Sequence, residues 1–553
     1  MTRWRWIWSA LAIAFAGCVR AQVAVSVDLN KPEGTLTHPW SHFGYDEPNY
    51  TYSPHGQKLL RELAASDRAP VYIRTHNLFT SGDGTGALKW GSTNVYTEDA
   101  QGRPVYDFAI VDRIFDAYRD AGVRPLVELG FMPQALTTGP APYRHDFPRG
   151  TIFTGWSYPP KDYAKWGALV FQFAKHLRER YGDAYVKTWL WEVWNEPDIP
   201  YWHGTPEEYF RLYDVSSDAV QRAIPFAEVG GPDSTGPASP QAEAFLRAFL
   251  EHCAHGKNYA TGKTGSPLAF VSFHPKGKAQ WVDGHVRMGM AEQLRAADTG
   301  FKIVASFPQW RDTPVILGEN DPEPCAGCSP KDHPEDNYRN GPIYAAYNIV
   351  DFLHTMAAAR RDGVTLKGMV TWAFQFDDQP LFAGFRDLAT DGIDKPVLNG
   401  FQALGLLGAV RVAATSSAAA KSIEENGVPK PVVEAVASRG TDEATVLLVH
   451  YRDDDVATPP ARVRLSVAGL PGNARQVQAE RFRVDETHAN AFAVWKSMGS
   501  PASPTPEQYV ALEAAGQLHR DGQAQRVAVR RGILGLSETV PAEGVELVRL
   551  RWH

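Results

Sequence analysis

Eight apolar strands alternate with helical segments from about residue 40 to 408, and short strands separated by Gly, Pro and Asp turns fill the remainder. Together these predict an α/β chain: a (β/α)8 TIM barrel followed by a C-terminal β-sandwich. A third observation supports the barrel. Five of the eight strands end on a polar residue, namely His76, Glu196, His274, Glu319 and Asp377. Each alone is an ordinary loop residue. Stability does not explain five together, because the strand ends converge on one face, the face that carries active sites in this architecture.

In chain order, Ala24 to Leu29 alternates and reads as a strand that pairs with the C-terminal sandwich and ties the chain ends together. Phe43 to Tyr45 is the first barrel strand. Leu59, Leu60 and Leu63 give Tyr52 to Ala65 a helical period. Val71 to His76 is the second strand. Asp107 is expected to cap a helix that ends at Gly122. Arg124 to Phe131 is the third strand, and a helix follows from about Lys161 to Tyr181. Trp189 to Pro197 is the fourth; Pro197 cannot donate to a ladder, so it stops the strand with Asn195 and Glu196 at its carboxyl end. Thr205-Pro-Glu-Glu208 has the form of a capping box with Pro at the first helical position, opening a helix to about Ile224. Glu228 to Pro232, Phe270 to Lys276, Pro314 to Asn320 and Gly368 to Phe376 are strands five to eight. Helices are expected over Gln241 to Cys253, Tyr344 to Ala359 and Val397 to Leu407. Beyond 410, strands are expected at Val432 to Val436, Ala444 to Tyr451, Arg462 to Val467, Gln476 to Val484, Gln525 to Val529 and Glu546 to Trp552.

The first residues read as a secretory signal. Arg3 and Arg5 precede an apolar run from Ile7 to Gly17, and Val19-Arg-Ala21 offers a cleavage site before Gln22. The run is too short to span a bilayer, so no membrane span is expected and the address is secreted or periplasmic. Cys18 faintly resembles a lipoprotein site, but Phe15 is atypical there and simple cleavage after Ala21 is expected. The formal net charge of −7 offers no basic field for a nucleic acid. Of the later cysteines, Cys325 and Cys328 could close a short disulfide in an oxidising compartment; a zinc pair would need partner ligands, and there is no second C-x-x-C.

Glycosidic hydrolysis needs two carboxyl groups flanking the anomeric carbon, one protonated and one ionised. Glu196 and Glu319, ending strands four and seven, are placed to face each other across a barrel mouth. Mutual repulsion would raise the pKa of one of them. Asn195 can hydrogen-bond a sugar 2-hydroxyl. His76, ending strand two, is a candidate sugar contact or a structural histidine. This chemistry requires no cofactor and no metal. The 16 Trp and 21 Tyr suit sugar faces, although many are core residues.

Trp194-Asn-Glu-Pro197 with a strand-seven Glu resembles clan A glycoside hydrolases. Val229-Gly-Gly-Pro232, Val271-Ser-Phe-His-Pro-Lys-Gly277, Gly392-Ile-Asp-Lys-Pro396 and Phe482-Arg-Val-Asp-Glu-Thr-His-Ala-Asn490 are similar to glycoside hydrolase family 39, which holds β-xylosidases and α-L-iduronidases. The resemblance covers nearly the whole chain after the signal. It implies a retaining mechanism with Glu196 as acid/base and Glu319 as nucleophile. It also implies His274 near the subsite, Asp377 and Asp378 anchoring far hydroxyls of the terminal sugar, and Trp372 as an aromatic floor or a core residue. Lys276 stands where many clan members carry a Tyr, and with Arg386 it could hold a uronate carboxylate. Asp377 and Asp378 would repel such a sugar, which favours a neutral pentose. The loop Gly318-Glu-Asn-Asp-Pro-Glu-Pro-Cys325 departs from the usual xylosidase continuation and is expected to reshape the pocket wall or the aglycone side.

The expected organisation is a signal peptide over 1–21, a joining strand over 22–40, a catalytic barrel over 41–408 and a β-sandwich over 409–553. The expected function is an exo-acting β-1,4-xylosidase that takes an oligosaccharide substrate, with α-L-arabinosidase side activity. The alternatives are an iduronidase-type hydrolase, an endo-acting exopolysaccharide hydrolase and a non-enzymatic sugar-binding protein. The last should have lost one of the two carboxylates, and both are present.

Overall fold

The computed structural model describes residues 22–552; the expected signal segment and Cys18 lie outside the described residues. The eight barrel strands are β1 (His42–Tyr45), β2 (Tyr72–Thr75), β3 (Arg124–Leu129), β4 (Leu190–Val193), β5 (Glu228–Thr235), β6 (Val271–His274), β7 (Val315–Leu317) and β8 (Leu366–Trp372). They pair in parallel and close in the order β7-β8-β1-β2-β3-β4-β5-β6. Both faces of most strands are buried, as a parallel sheet wrapped in helices requires.

Eight helices follow the strands: α1 (Pro54–Ser66), α2 (Ala109–Ala121), α3 (Tyr163–Tyr181), α4 (Pro206–Ala223), α5 (Pro240–His255), α6 (Met290–Ser306), α7 (Pro342–Arg361) and α8 (Pro396–Gly405). The Thr205–Glu208 capping box forms as expected. At α2 the cap position falls on Phe108; Asp107 supports the first turn by accepting from the Ala109 N–H at 2.9 Å. The sequence reading did not include α6, which starts at Gly289 in the left-handed region. A hairpin, Gln280–Val282 with His285–Arg287, is inserted between β6 and α6.

The remaining strands are an N-terminal one (Val23–Thr35), β9 (Val410–Ser416), β10 (Val432–Arg439), β11 (Glu443–Tyr451), β12 (Ala461–Ala468), β13 (Gln476–Val484), β14 (Gln525–Ala528), β15 (Ile533–Val540) and β16 (Val545–Arg551). They form one nine-stranded sheet, order β14-β13-β16-β11-β10-β9-N-terminal-β12-β15. The N-terminal strand lies between β9 and β12, so it pairs within the C-terminal sheet as expected. Val25, Val446, Leu465, Val477 and Leu534, from five different strands, share one core, so the sheet is curled into a sandwich-like shape. Alternation divides its faces. On β11, Val446 and Leu448 join that core, while Leu447 and Val449 join the barrel's core. The sheet therefore packs on the barrel rather than hanging beside it. Among the described residues no helix is long and apolar enough to cross a membrane.

Asn399 on α8 is one polar tie between barrel and C-terminal segment. It is fully buried, and its Nδ2 donates to the carbonyls of Ala489 (3.1 Å) and Gly516 (2.5 Å). Asn399→Ala strands those buried acceptors, and a loss of about 1–3 kcal/mol is expected. The check is a lower urea midpoint with the far-UV spectrum of the native state unchanged.

Candidate active site

After β4 the backbone turns sharply. Trp194 and Glu196 both adopt left-handed conformations (φ 70° and 44°), unusual for residues with a Cβ and costing about 1–3 kcal/mol each. Packing enforces them. The buried Trp194 indole donates to the Tyr201 carbonyl at 2.9 Å, and the Tyr209 hydroxyl lies 3.0 and 3.1 Å from the carbonyls of Val193 and Pro232. The turn delivers Glu196 to the mouth. From β7, Gly318 leads into Glu319. A Cβ on Gly318 would lie 1.9 Å from Asp233 Oδ1 and 2.9 Å from His274 Nε2, so only glycine lets β7 approach this closely. One carboxylate oxygen of Glu196, one of Glu319 and a ring nitrogen of His274 all lie within 4.8 Å of one another.

Beneath them sits Arg74 on β2, fully buried. Its guanidinium contacts Glu128 (3.0 Å), Glu319 (3.4 Å), Asn195 Oδ1 (2.9 Å), and, more closely still, Glu192 and Asp233. His76 accepts from Arg74 at Nε2 (3.1 Å) and lies 2.8 Å from Asp46 at Nδ1. Lys276 places Nζ 2.5 Å from both Glu319 Oε2 and Asp321 Oδ2. Burial alone would raise the Glu319 carboxyl, but Lys276, His274 and Arg74 together hold it well below the usual carboxylate range. Burial lifts Glu192 to about 8 against the pull of Arg74, and pushes Glu128 well up too, so the layer below the mouth retains protons that Glu319 does not.

The structure therefore groups Glu196, Glu319, Asn195, His274 and Lys276. Asn195 Nδ2 is buried with no partner among the described residues, leaving a donor beside Glu196. His274 donates from Nδ1 to Glu196 Oε1 at 2.9 Å. His76 is buried, and both its nitrogens are engaged by Asp46 and Arg74, so it serves the framework and is not open to a sugar. Trp372 is only 2 % exposed, donates to Asp46 (3.1 Å) and packs 4.2 Å from the His76 ring; it lies under the site rather than forming an open floor. Arg386 departs most from expectation. It is fully buried, 3.1 Å from Asp321 and 3.1 Å from Glu323, so two carboxylates already neutralise it and it does not reach the mouth.

Asp377 and Asp378 lie further out. Asp377 is half-buried beside His55 (3.3 Å), and exposed Asp378 accepts from the Tyr50 hydroxyl at 2.6 Å. Asp378 also lines a cavity of about 620 Å³ walled by loops that follow β2, β3, β7 and β8, including Trp90, Phe147 and His333. Cys325 and Cys328 are disulfide-bonded; Arg339 holds their carbonyls at 2.7 and 2.6 Å, and the loop they close forms one side of the cavity.

The sequence reading missed Arg74, Asp233 and Asp321. Arg74 was within reach, since it stands two residues before His76 on the same strand face. Glu196, His274 and Glu319 have the donor types for a metal ion. They do not fit one. Both His274 nitrogens face carboxylates, and although burial lowers its pKa, Asp233 and Glu319 raise it to about 10; an imidazolium has no lone pair to give.

A closed parallel barrel with two close carboxylates at its carboxyl-end mouth, one held ionised by three cations, defines a glycoside hydrolase of the barrel type. Residues 23–527 match Glycosyl hydrolases family 39, and the chain belongs to that family. It is 28% identical over 507 residues to a beta-xylosidase of Geobacillus stearothermophilus, covering 87% of this chain and 86% of that one. It is 24% identical over 552 residues to the alpha-L-iduronidase of Mus musculus, covering 95% and 80%. Among solved structures, the GH39 enzyme from Xanthomonas axonopodis pv. citri superposes with a TM-score of 0.74 at 20% identity, covering 98% of this chain and all of that one.

His274 gives folding stability a pH signature. Its raised pKa means the folded chain binds a proton more tightly than the unfolded one. That contribution is complete below the unfolded value of about 6.5. It is lost as pH rises through about 10. The urea midpoint of His274→Gln is expected to fall less than the parent's across this interval; an identical slope contradicts the assignment.

Proposed function

We propose that the protein is a retaining, exo-acting β-1,4-xylosidase that releases xylose from xylo-oligosaccharide ends and has side activity on α-L-arabinosides. The observation that carries the mechanism is the closeness of Glu196 and Glu319, with oxygens within 4.8 Å. Carboxyl groups about 5–5.5 Å apart suit a covalent intermediate, whereas inversion needs about 6.5–9.5 Å to admit a water. In the first step a Glu319 oxygen attacks the anomeric carbon while Glu196 gives its proton to the departing glycosidic oxygen. In the second, Glu196 takes a proton from water, whose oxygen displaces Glu319 and frees the sugar. Lys276 and Arg74 hold Glu319 ionised and aimed, and Asn195 donates to the sugar's 2-hydroxyl.

The alternative is hydrolysis of a uronoside, as the names of the iduronidase relatives suggest. Lys276 at the mouth favours it. The commitment of Lys276 to Glu319 and Asp321, and of Arg386 to Asp321 and Glu323, weighs against it, because a substrate carboxylate would compete with anions already in place. In this reading Asp377 and Asp378 anchor hydroxyls at the outer rim, residues 41–408 are the catalytic unit, 409–553 are architectural, and the protein acts outside the cytoplasm.

Aryl β-D-xylopyranoside, aryl α-L-arabinofuranoside and aryl α-L-iduronide, assayed at matched concentration, decide the sugar. Fastest turnover is expected on the xyloside, and preference for the iduronide would contradict the reading. Glu196→Ala is expected to lose about 10²–10⁴-fold in turnover. Added azide should recover part of the loss, since a small nucleophile needs no general base.

A further inference from the structure

We propose that Asp233, on β5, is a positioning residue for proton transfer, acting on Glu196 through His274. It touches neither the scissile bond nor, by its burial, any substrate, and no sequence motif pointed to it. The inference rests on the glycosidase activity and on Glu196 as acid/base, and does not depend on which sugar is cleaved.

Three features of the backbone single Asp233 out. Its φ is 55°, in the left-handed region. The β5–β6 pairing skips it: Pro232 opposes Ser272 and Ser234 opposes Phe273, so Asp233 is the extra residue of a bulge. Bulges re-aim a side chain that regular pairing would direct elsewhere. The Ser272 hydroxyl fixes this one by accepting the Asp233 N–H at 3.1 Å. Finally, the facing residue is Gly318, where a Cβ would collide with Asp233 Oδ1. Strand distortion and a missing side chain together make room for one carboxylate.

Asp233 holds Glu196 from two directions, one through its backbone and one through its side chain. The Asp233 carbonyl accepts the Glu196 N–H at 2.9 Å, fixing the turn that presents the acid/base. Its Oδ2 lies 3.0 Å from His274 Nε2, and His274 Nδ1 donates to Glu196 Oε1 at 2.9 Å. Asp233, His274 and Glu196 thus form a line of contacts running from the bulge to the reacting proton. Arg74 closes on the same Oδ2 and keeps Asp233 ionised despite full burial. An ionised Asp233 keeps His274 charged and its ring fixed, so that Glu196 is oriented by a donor and never by a neutral ring free to present an acceptor. A counter-ion for Arg74 alone would need no contact to His274, whereas Asp233 Oδ2 lies against both groups.

The test compares kcat/KM for two glycosides of one sugar in Asp233→Asn and the parent: a nitrophenyl glycoside, whose leaving group departs without help, and an alkyl glycoside, which needs a proton. The loss is expected to be at least tenfold larger on the alkyl glycoside, with the basic limb of its pH profile moved upward. Equal losses on both substrates would overturn the proposal, because misfolding or disturbance of Glu319 penalises both alike. His274→Gln breaks the same line from another strand and should produce the same ratio, with the double variant no worse than the more severe single one; additive losses would overturn it. A readout independent of turnover is ¹⁵N NMR of labelled histidines, with His274→Gln assigning the signal. The His274 ring should stay doubly protonated through pH 8 in the parent and titrate below that in Asp233→Asn; unchanged titration would overturn the proposal. A parent chain inactive on xylosides would count against the xylosidase reading, while the NMR experiment would still decide this one.

Discussion

A guanidinium sealed inside the barrel is the interaction on which the site depends. Arg74 is the common neighbour of Glu128, Glu192, Asp233, Asn195, His76 and Glu319, drawn from five strands or strand ends. Carboxylates brought together in a dry interior would protonate or repel one another. One delocalised cation with several fixed donors lets them coexist at hydrogen-bond range. The layering follows. Glu128 and Glu192 are register partners on β3 and β4, directly beside each other, and burial lifts both; nearer the mouth Lys276 and His274 add their charges and Glu319 stays ionised. The asymmetry that hydrolysis requires is thus built from depth and from the placement of three cations.

Much of this was legible in the sequence where a local rule ended an element. Pro197 ended β4 beside Glu196, and the polar residues closing apolar runs located three of the groups at the mouth, Glu196, His274 and Glu319. The eight barrel strands were all expected, because apolar runs flanked by helical periods have few other readings. What stayed hidden depended on register or on exceptions to period two. Asp233 occupies a bulge, where alternation fails by construction. Arg74 shares its strand face with His76, but its role shows only once its guanidinium is seen to meet Glu128 and Glu192. β15 was missed for a related reason: its buried face includes Glu538, whose charge is met by Arg481 at 2.8 Å, while Ile533 is exposed. β9 was missed because only Val412 in it is fully buried.

The rim separates this chain from a bare barrel. The loop after β7 carries the disulfide, and its carbonyls are held by Arg339, which also meets Glu323 (2.9 Å) and Asp336 (3.0 Å). Glu323 in turn meets Arg386, and Arg386 meets Asp321, the partner of Lys276. A chain of buried ion pairs therefore runs from the cavity wall to the carboxylate of Glu319. Arg386, expected at the substrate, supports the loop instead. Removing one member would leave its partners buried and unpaired, a loss of about 3–5 kcal/mol. The wall and the charge on Glu319 are thereby parts of one network.

The measurement that bears most directly on this account is covalent trapping. An activated 2-deoxy-2-fluoro-β-xyloside slows both displacement steps and lets a glycosyl-enzyme accumulate. Intact-mass analysis followed by peptide mapping should find one fluoroxylosyl group per chain, on Glu319. An adduct on another carboxylate, or turnover that yields the inverted anomer with no adduct, would contradict the assignment of the ionised group at the end of β7 as the nucleophile.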